Sequence, residues 1–284
     1  MERKWFSSGL LFFIIISIFF YKTHLDGRST LNTFTGSYDY RVASKTLGNG
    51  TNRKIIGEYE IKDIPYITER TESSYPQVVA GANQKKLDKW NQIIQEDFDK
   101  ILQIYSFDPF AELPSSPTEP PKVILRISYE IKLLNNQFLS ILYLASYHNP
   151  YSAHPTELVY TTNIDTRKDV RLRLKDLIKL DSNFVSYLRE WSFITMEPKN
   201  PMWNAVIKTI LDDMSDEQLM TGLETADQIG SGNRWGIYTY LTSENFGVSI
   251  SVPHFAGDHV ELEKAYEELK DYLKPEFDWN LTKN

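Results

Sequence analysis

The chain has 284 residues, a formal net charge of −7 and no cysteine. Without cysteine there is no disulfide framework, thiolate metal site or thiol nucleophile. The acidic balance argues against nucleic acid or an anionic membrane surface as a partner.

Residues Trp5 to Tyr21 run seventeen positions without a charge. As a helix they reach about 26 Å, at the short end of what crosses a hydrocarbon core of roughly 30 Å. Arg3 and Lys4 precede the run and favour a cytoplasmic N-terminus. Residues 1–22 are therefore expected to form one transmembrane signal anchor, with the C-terminal part outside a cell membrane. Cleavage at an atypical site is the alternative, because Tyr21, Lys22, Thr23, His24 and Leu25 lack the small-residue pattern of a signal-peptidase site. A lipid anchor would need a cysteine that the chain lacks. Beyond Lys22 the excess of acids deepens to −9, since residues 1–22 hold three bases (Arg3, Lys4, Lys22) against Glu2.

Residues 23–52 are rich in Gly, Ser, Thr and Asn and read as a flexible stalk. Short apolar runs from Lys54 to Ile67 predict one or two strands. Leu87, Trp90, Ile94, Phe98, Ile101 and Tyr105 recur three or four apart and predict a helix. Prolines between Phe107 and Pro121 end it and mark a boundary between subdomains 53–121 and 122–276, with 277–284 as a tail. From Val123 the period becomes two, giving a strand to Leu133, and Asn135-Asn136 offers a turn with positive φ. Strands through Leu139–Tyr147, Glu157–Ile164 and Val170–Leu174 complete an antiparallel meander. Helical spacing returns from Asn183 to Gln228, broken near Pro198 and Pro201. A hairpin then runs from Trp235 to Val252, turning at Ser243-Glu244-Asn245. Asp258 and Glu261 have capping-box spacing and predict a last helix from His259, with Leu262, Tyr266, Leu269 and Leu273 as its apolar stripe. The expected class is α+β, an antiparallel sheet meander with packed helices after one N-terminal transmembrane helix.

Chemistry-bearing patterns are few. His148 and His154 lie in one loop, and His254 and His259 bracket Gly257-Asp258 in another. Neither pair has a common metal-ligand spacing, and no H-E-x-x-H, G-x-S-x-G or Walker pattern occurs. No catalytic residue, metal site or cofactor is expected. Loop aromatics Tyr147, Tyr151, Trp235 and Phe255 suit protein or carbohydrate contacts.

Ser74-Tyr75-Pro76-Gln77, followed by a helix carrying Trp90-Asn91, resembles the non-catalytic N-terminal region of PdaC-type peptidoglycan deacetylases. In that family a strand ends in Y-P-x and leads to a helix bearing an Asn. Further on come Tyr143-x-x-Ser146-Tyr147, Ala153-His154-Pro155, Thr161-Thr162-Asn163-Ile164-Asp165 and Leu172-x-Leu174-x-Asp176-Leu177-Ile178. With the closing hairpin and Pro253 to Asp258, they are similar to the exported domain of RsiV-type lysozyme-sensing anti-sigma factors. The resemblance spans roughly residues 53–275. The deacetylase T-F-D-D and H-x-x-x-H motifs are missing, and so is a sigma-binding region, so neither activity carries over.

The resemblance implies a membrane-anchored extracytoplasmic binding or sensing module of the bacterial cell envelope. Its ligand would be a lysozyme-like protein or a cell-wall glycan, peptidoglycan. The implied binding loops hold Tyr147, His148, Tyr151, His154, Pro253, His254, Phe255 and Asp258. The alternative is a metal-dependent envelope hydrolase using His148, His154, His254 and Asp258.

Overall fold

A computed structural model describes residues 53–106, 124–148, 154–191, 193–194, 201–232 and 236–283. The expected anchor (5–21), the stalk, the Pro-rich segment, Tyr151 and Trp235 lie outside these residues. Among the described residues no helix is long and apolar enough to cross a membrane.

Seven strands form one sheet in chain order: β1 Arg53–Ile56, β2 Tyr59–Ile67, β3 Thr71–Ala80, β4 Leu125–Leu134, β5 Phe138–Tyr147, β6 Thr156–Asp165 and β7 Val170–Leu172. Every neighbouring pair is antiparallel except β3 and β4, which run parallel through Thr71–Ser73 and Leu125–Ile127. Helix α1, Gln84–Ser106, lies between them in sequence, as a parallel crossover requires. The expected stripe Leu87, Trp90, Ile94, Phe98 and Ile101 is buried in a core shared with β2 to β6. Asn91 ties the helix to β3, its Oδ1 accepting the Val78 N–H and its Nδ2 donating to the Val78 carbonyl, both at 2.8 Å. At the other end of the sheet, Arg171 on β7 donates from Nε and Nη2 to the buried Asp97 carboxylate of α1 at 3.1 and 2.9 Å.

The second core belongs to the C-terminal half. Helices α2 Leu174–Leu177, α3 Ser182–Leu188, α4 Pro201–Asp213 and α5 Asp216–Glu224 precede a smaller sheet. That sheet has strand order β10-β9-β8, with β8 Ile237–Leu241, β9 Asn245–Ser251 and β10 His259–Ala265, and a four-residue helix α6 Tyr266–Leu269 follows. Phe246, Val248, Ile250, Val260 and Leu262 bury one face among the helices. Tyr238 and Tyr240 reach the first core from the other face. The outer edge of β8 is satisfied by side chains of the large sheet: Asn163 Nδ2 donates to the Thr239 carbonyl at 2.7 Å, and the Leu241 N–H donates to Ser140 Oγ at 2.9 Å.

Three expectations are corrected. His259–Ala265 is a strand rather than the start of a helix, because seven ladder partners on β9 claim its backbone from His259↔Ser251 to Ala265↔Asn245. Asp258 is accordingly no helix cap; it sits at φ 69 in the left-handed region. The fourth meander strand stops at Leu172, and Leu174 opens α2 instead. The β4–β5 turn does not use positive φ at Asn135-Asn136. There Asn135 Oδ1 accepts the N–H groups of Gln137 and Phe138, a side-chain turn of the Asx kind.

Candidate functional site

At the end of the large sheet where β5 finishes and β6 begins, the described run from His154 into β6 meets a second loop, the connection from β9 to β10 through Pro253 and a three-residue 3₁₀ turn, His254–Ala256. Gly257 at φ 101 and Asp258 at φ 69 reverse the chain, so that the Val252 N–H reaches the Asp258 carbonyl at 2.8 Å. Aspartate tolerates the left-handed conformation better than most residues.

The reversal aims the Asp258 carboxylate inward, where its side chain is only 8% exposed. Oδ2 accepts the backbone N–H of Glu157 at 2.9 Å, and Oδ1 lies 2.7 Å from His254 Nδ1. A carboxylate only accepts, so Nδ1 carries the proton and donates. The same carboxylate therefore pins β6 to the second loop and fixes the His254 ring. His259 adds a parallel tie, its buried Nδ1 lying 3.1 Å from the Glu157 carbonyl.

Glu157 itself is half-buried. Burial pushes its carboxyl above the usual range, Asp258 reinforces the shift and His259 opposes it. Behind it stands a wall of phenols. Tyr105 from α1 and Tyr160 from β6 share a hydrogen bond at 3.1 Å, Tyr147 packs on Tyr105 with centroids 5.4 Å apart, and Tyr238 packs on Tyr160 at 5.0 Å. Burial, first of all, raises the Tyr105, Tyr160 and Tyr238 hydroxyls above their ordinary value, so they stay neutral.

The outward surface is different in kind. The His254 side chain is 52% exposed, its ring centroid is 6.5 Å from that of His154, and Phe255 is 65% exposed. Of the residues singled out in sequence, His154, His254 and Asp258 thus come together, with Phe255 exposed next to His254 in the chain and Pro253 setting the entry of the turn, while Tyr147 packs on Tyr105. His148 anchors its end of the loop, its N–H donating to the Ile124 carbonyl at 2.7 Å. Sequence reasoning missed Glu157 and Tyr105. Glu157 looks like an ordinary strand residue, and Tyr105 like one more member of a helical stripe. Among the described residues no group of three or more His, Cys, Asp or Glu side chains is arranged to hold a metal ion.

No protein-family model and no curated protein matches the chain. Similar solved structures are DUF3298 family proteins. One, from Bacteroides fragilis NCTC 9343, is 15% identical with a TM-score of 0.44, covering 76% of this chain and 94% of its own. Another, from Pseudomonas aeruginosa PAO1, is 14% identical with a TM-score of 0.41, covering 79% of this chain and 94% of its own.

Proposed function

We propose that the chain is a membrane-anchored binding module of the bacterial cell envelope, held by residues 5–21 with its folded part outside the membrane. The clamped β9–β10 loop and the residues beside it take the ligand, a lysozyme-like protein or peptidoglycan. The observation that carries the reading is the Asp258 clamp, which ties the start of β6 to the β9–β10 loop and leaves His254 and Phe255 exposed side by side. A half-exposed aromatic on a rigid support suits a binding surface, because it buries apolar area without ordering a mobile loop. The acidic balance of −7 favours a basic partner through encounter steering. The motif resemblance to PdaC-type and RsiV-type exported domains supports the same reading.

Calorimetry of the full chain in detergent with hen lysozyme tests the protein ligand, and co-sedimentation with insoluble peptidoglycan tests the glycan. Binding to either, weakened about tenfold or more by Phe255→Ala, is expected, as for a central aromatic anchor. No heat at concentrations on the order of 10 μM, weaker than about −7 kcal/mol, together with no sedimentation, would sink the proposal.

A further inference from the structure

A second surface feature lies away from the clamped loop. β7 pairs with Asn163–Asp165, the end of β6 opposite to the Glu157 clamp. From there the chain runs through α2 to Lys179, where residues 272–274 pair with it. The Lys179 N–H donates to the Tyr272 carbonyl and the Lys274 N–H to the Leu177 carbonyl, both at 2.8 Å, around an antiparallel bridge between Ile178 and Leu273. Beside this short ribbon, between α3 and Asp271-Tyr272, opens a groove of about 480 Å³. Ligand sites span roughly 300–1,000 Å³.

The groove is built on fixed parts. Asp181 caps α3 by accepting the Phe184 N–H at 2.8 Å. Tyr187 of α3 and Tyr272 stack with centroids 4.8 Å apart and planes 12° from parallel, and Tyr187 donates to the Glu268 carbonyl at 3.2 Å. Hydrogen-bonding groups of both kinds are left over for a ligand. The Asn183 amide, the Tyr272 hydroxyl and the Glu190 and Asp271 carboxylates line the groove, and none bonds to another described residue. Lys179 adds an ammonium, tied to the Asp271 carbonyl at 3.4 Å. A second groove of about 430 Å³, flanked by Asp176, Lys274, Pro275 and Glu276, adjoins the first at Lys179.

These groups select a class of ligand. An apolar molecule would strip water from the amide and carboxylates and return no hydrogen bonds. Asp181, Glu190 and Asp271 outnumber Lys179 and disfavour an anion, while Lys179 at the junction of the grooves disfavours a compact cation. A neutral polyol fits, because each of its hydroxyls both donates and accepts and so serves carboxylate, amide and ammonium in turn. The two tyrosines add amphipathic edges of the kind that meet such ligands. Two grooves that share one lysine suit several linked units better than a single one. We propose that this surface binds a neutral oligosaccharide, laid along the ribbon across Lys179. The site is separate from the clamped loop, so it stands or falls independently of the ligand assigned there.

The test titrates the full chain, in a detergent without a sugar headgroup, with chitotetraose and with cellotetraose, which differ in the acetamido group. Saturable binding of at least one is expected, with a Kd on the order of 1 mM or tighter for so open a groove. Tyr272→Phe, which keeps the stacked ring, and Asn183→Ala should each weaken it about fivefold, the worth of one hydrogen bond. Phe255→Ala, on the clamped loop, should leave it unchanged. Thermal melts of the groove variants, all at positions open to solvent, show whether the fold persists. No saturation by either sugar up to about 10 mM would overturn the proposal. So would binding that the Tyr272→Phe/Asn183→Ala double variant retains in full, or binding that Phe255→Ala abolishes, since the sugar would then sit elsewhere.

Discussion

Single residues decide several features of this molecule by what their side chains exclude. Gly247 in β9 has the Tyr240 ring lying across it, and a Cβ built there would clash with three of its ring atoms. The crossing lets the Tyr240 hydroxyl approach Glu261 on β10 at 2.9 Å. Gly247→Ala should displace a fully buried tyrosine and lower stability by about 2–3 kcal/mol, read as a reduced urea midpoint at unchanged slope. Asp227 shows the opposite pressure. Its buried carboxylate accepts from the Thr239 N–H and Oγ1, the Leu174 N–H and Thr161 Oγ1. Burial still outweighs those four donors and pushes its pKa to about 6. An unfolded aspartate ionises near 3.9. Between these values the native state keeps a proton that the unfolded state releases, so stability falls as pH rises from about 4 to about 6. The loss is on the order of 3 kcal/mol. Denaturation at pH 4 and pH 7 should show this fall in the parent and a flatter profile in Asp227→Asn; no difference between the two profiles would refute the assignment.

At the scale of elements, the open edges of strands govern what packs where. β4 pairs with β3 only through Thr71–Ser73, so Val78 presents its outer backbone groups to α1 rather than to a strand. Asn91 satisfies both groups. Asn91→Ala leaves a part-buried N–H and C=O without partners and should lower stability by about 2 kcal/mol, while Asn91→Ser recovers part of it. Hydrogen exchange at the Val78 amide would report the same loss locally. The local patterns that specify elements were readable to different depths here. The stripe of α1 and the alternation of β4 to β6 are long and have one period each. The segment from His259 carries two. Val260 and Leu262 alternate as a strand, while Leu262, Tyr266, Leu269 and Leu273 space as a helix, and Asp258 and Glu261 imitate a cap. Pairing with β9 settles the competition, because seven backbone partners outweigh a marginal helical signal.

For the whole molecule, the decisive contact is between sheets. Asn163 and Ser140 on the large sheet satisfy the β8 edge, and they also bond each other, Ser140 Oγ donating to Asn163 Oδ1 at 2.7 Å. All these groups are buried, so leaving one unpaired is costly. Asn163→Ala should destabilise by about 1–3 kcal/mol, and hydrogen exchange across β8 and β9 should quicken more than across β2 and β3. Uniform quickening would show that the two sheets open as one unit rather than at this seam.

Sequence alone determined the α+β class, the helix α1, the meander β4 to β7 and the loop residues that supply the candidate site. Each of these rests on a period of two or 3.6 residues, or on turn residues a few positions apart, which a linear reading can detect. The strand at His259–Ala265 and the meeting of the two loops were decided by tertiary structure. Glu157 and Asp258 are 101 residues apart, and the hydrogen bond that joins them is one short distance with no periodic trace. The residues were legible as loop histidines and an aspartate; their assembly into one clamped surface depends on the β9–β10 pairing and a left-handed aspartate that no local pattern announces.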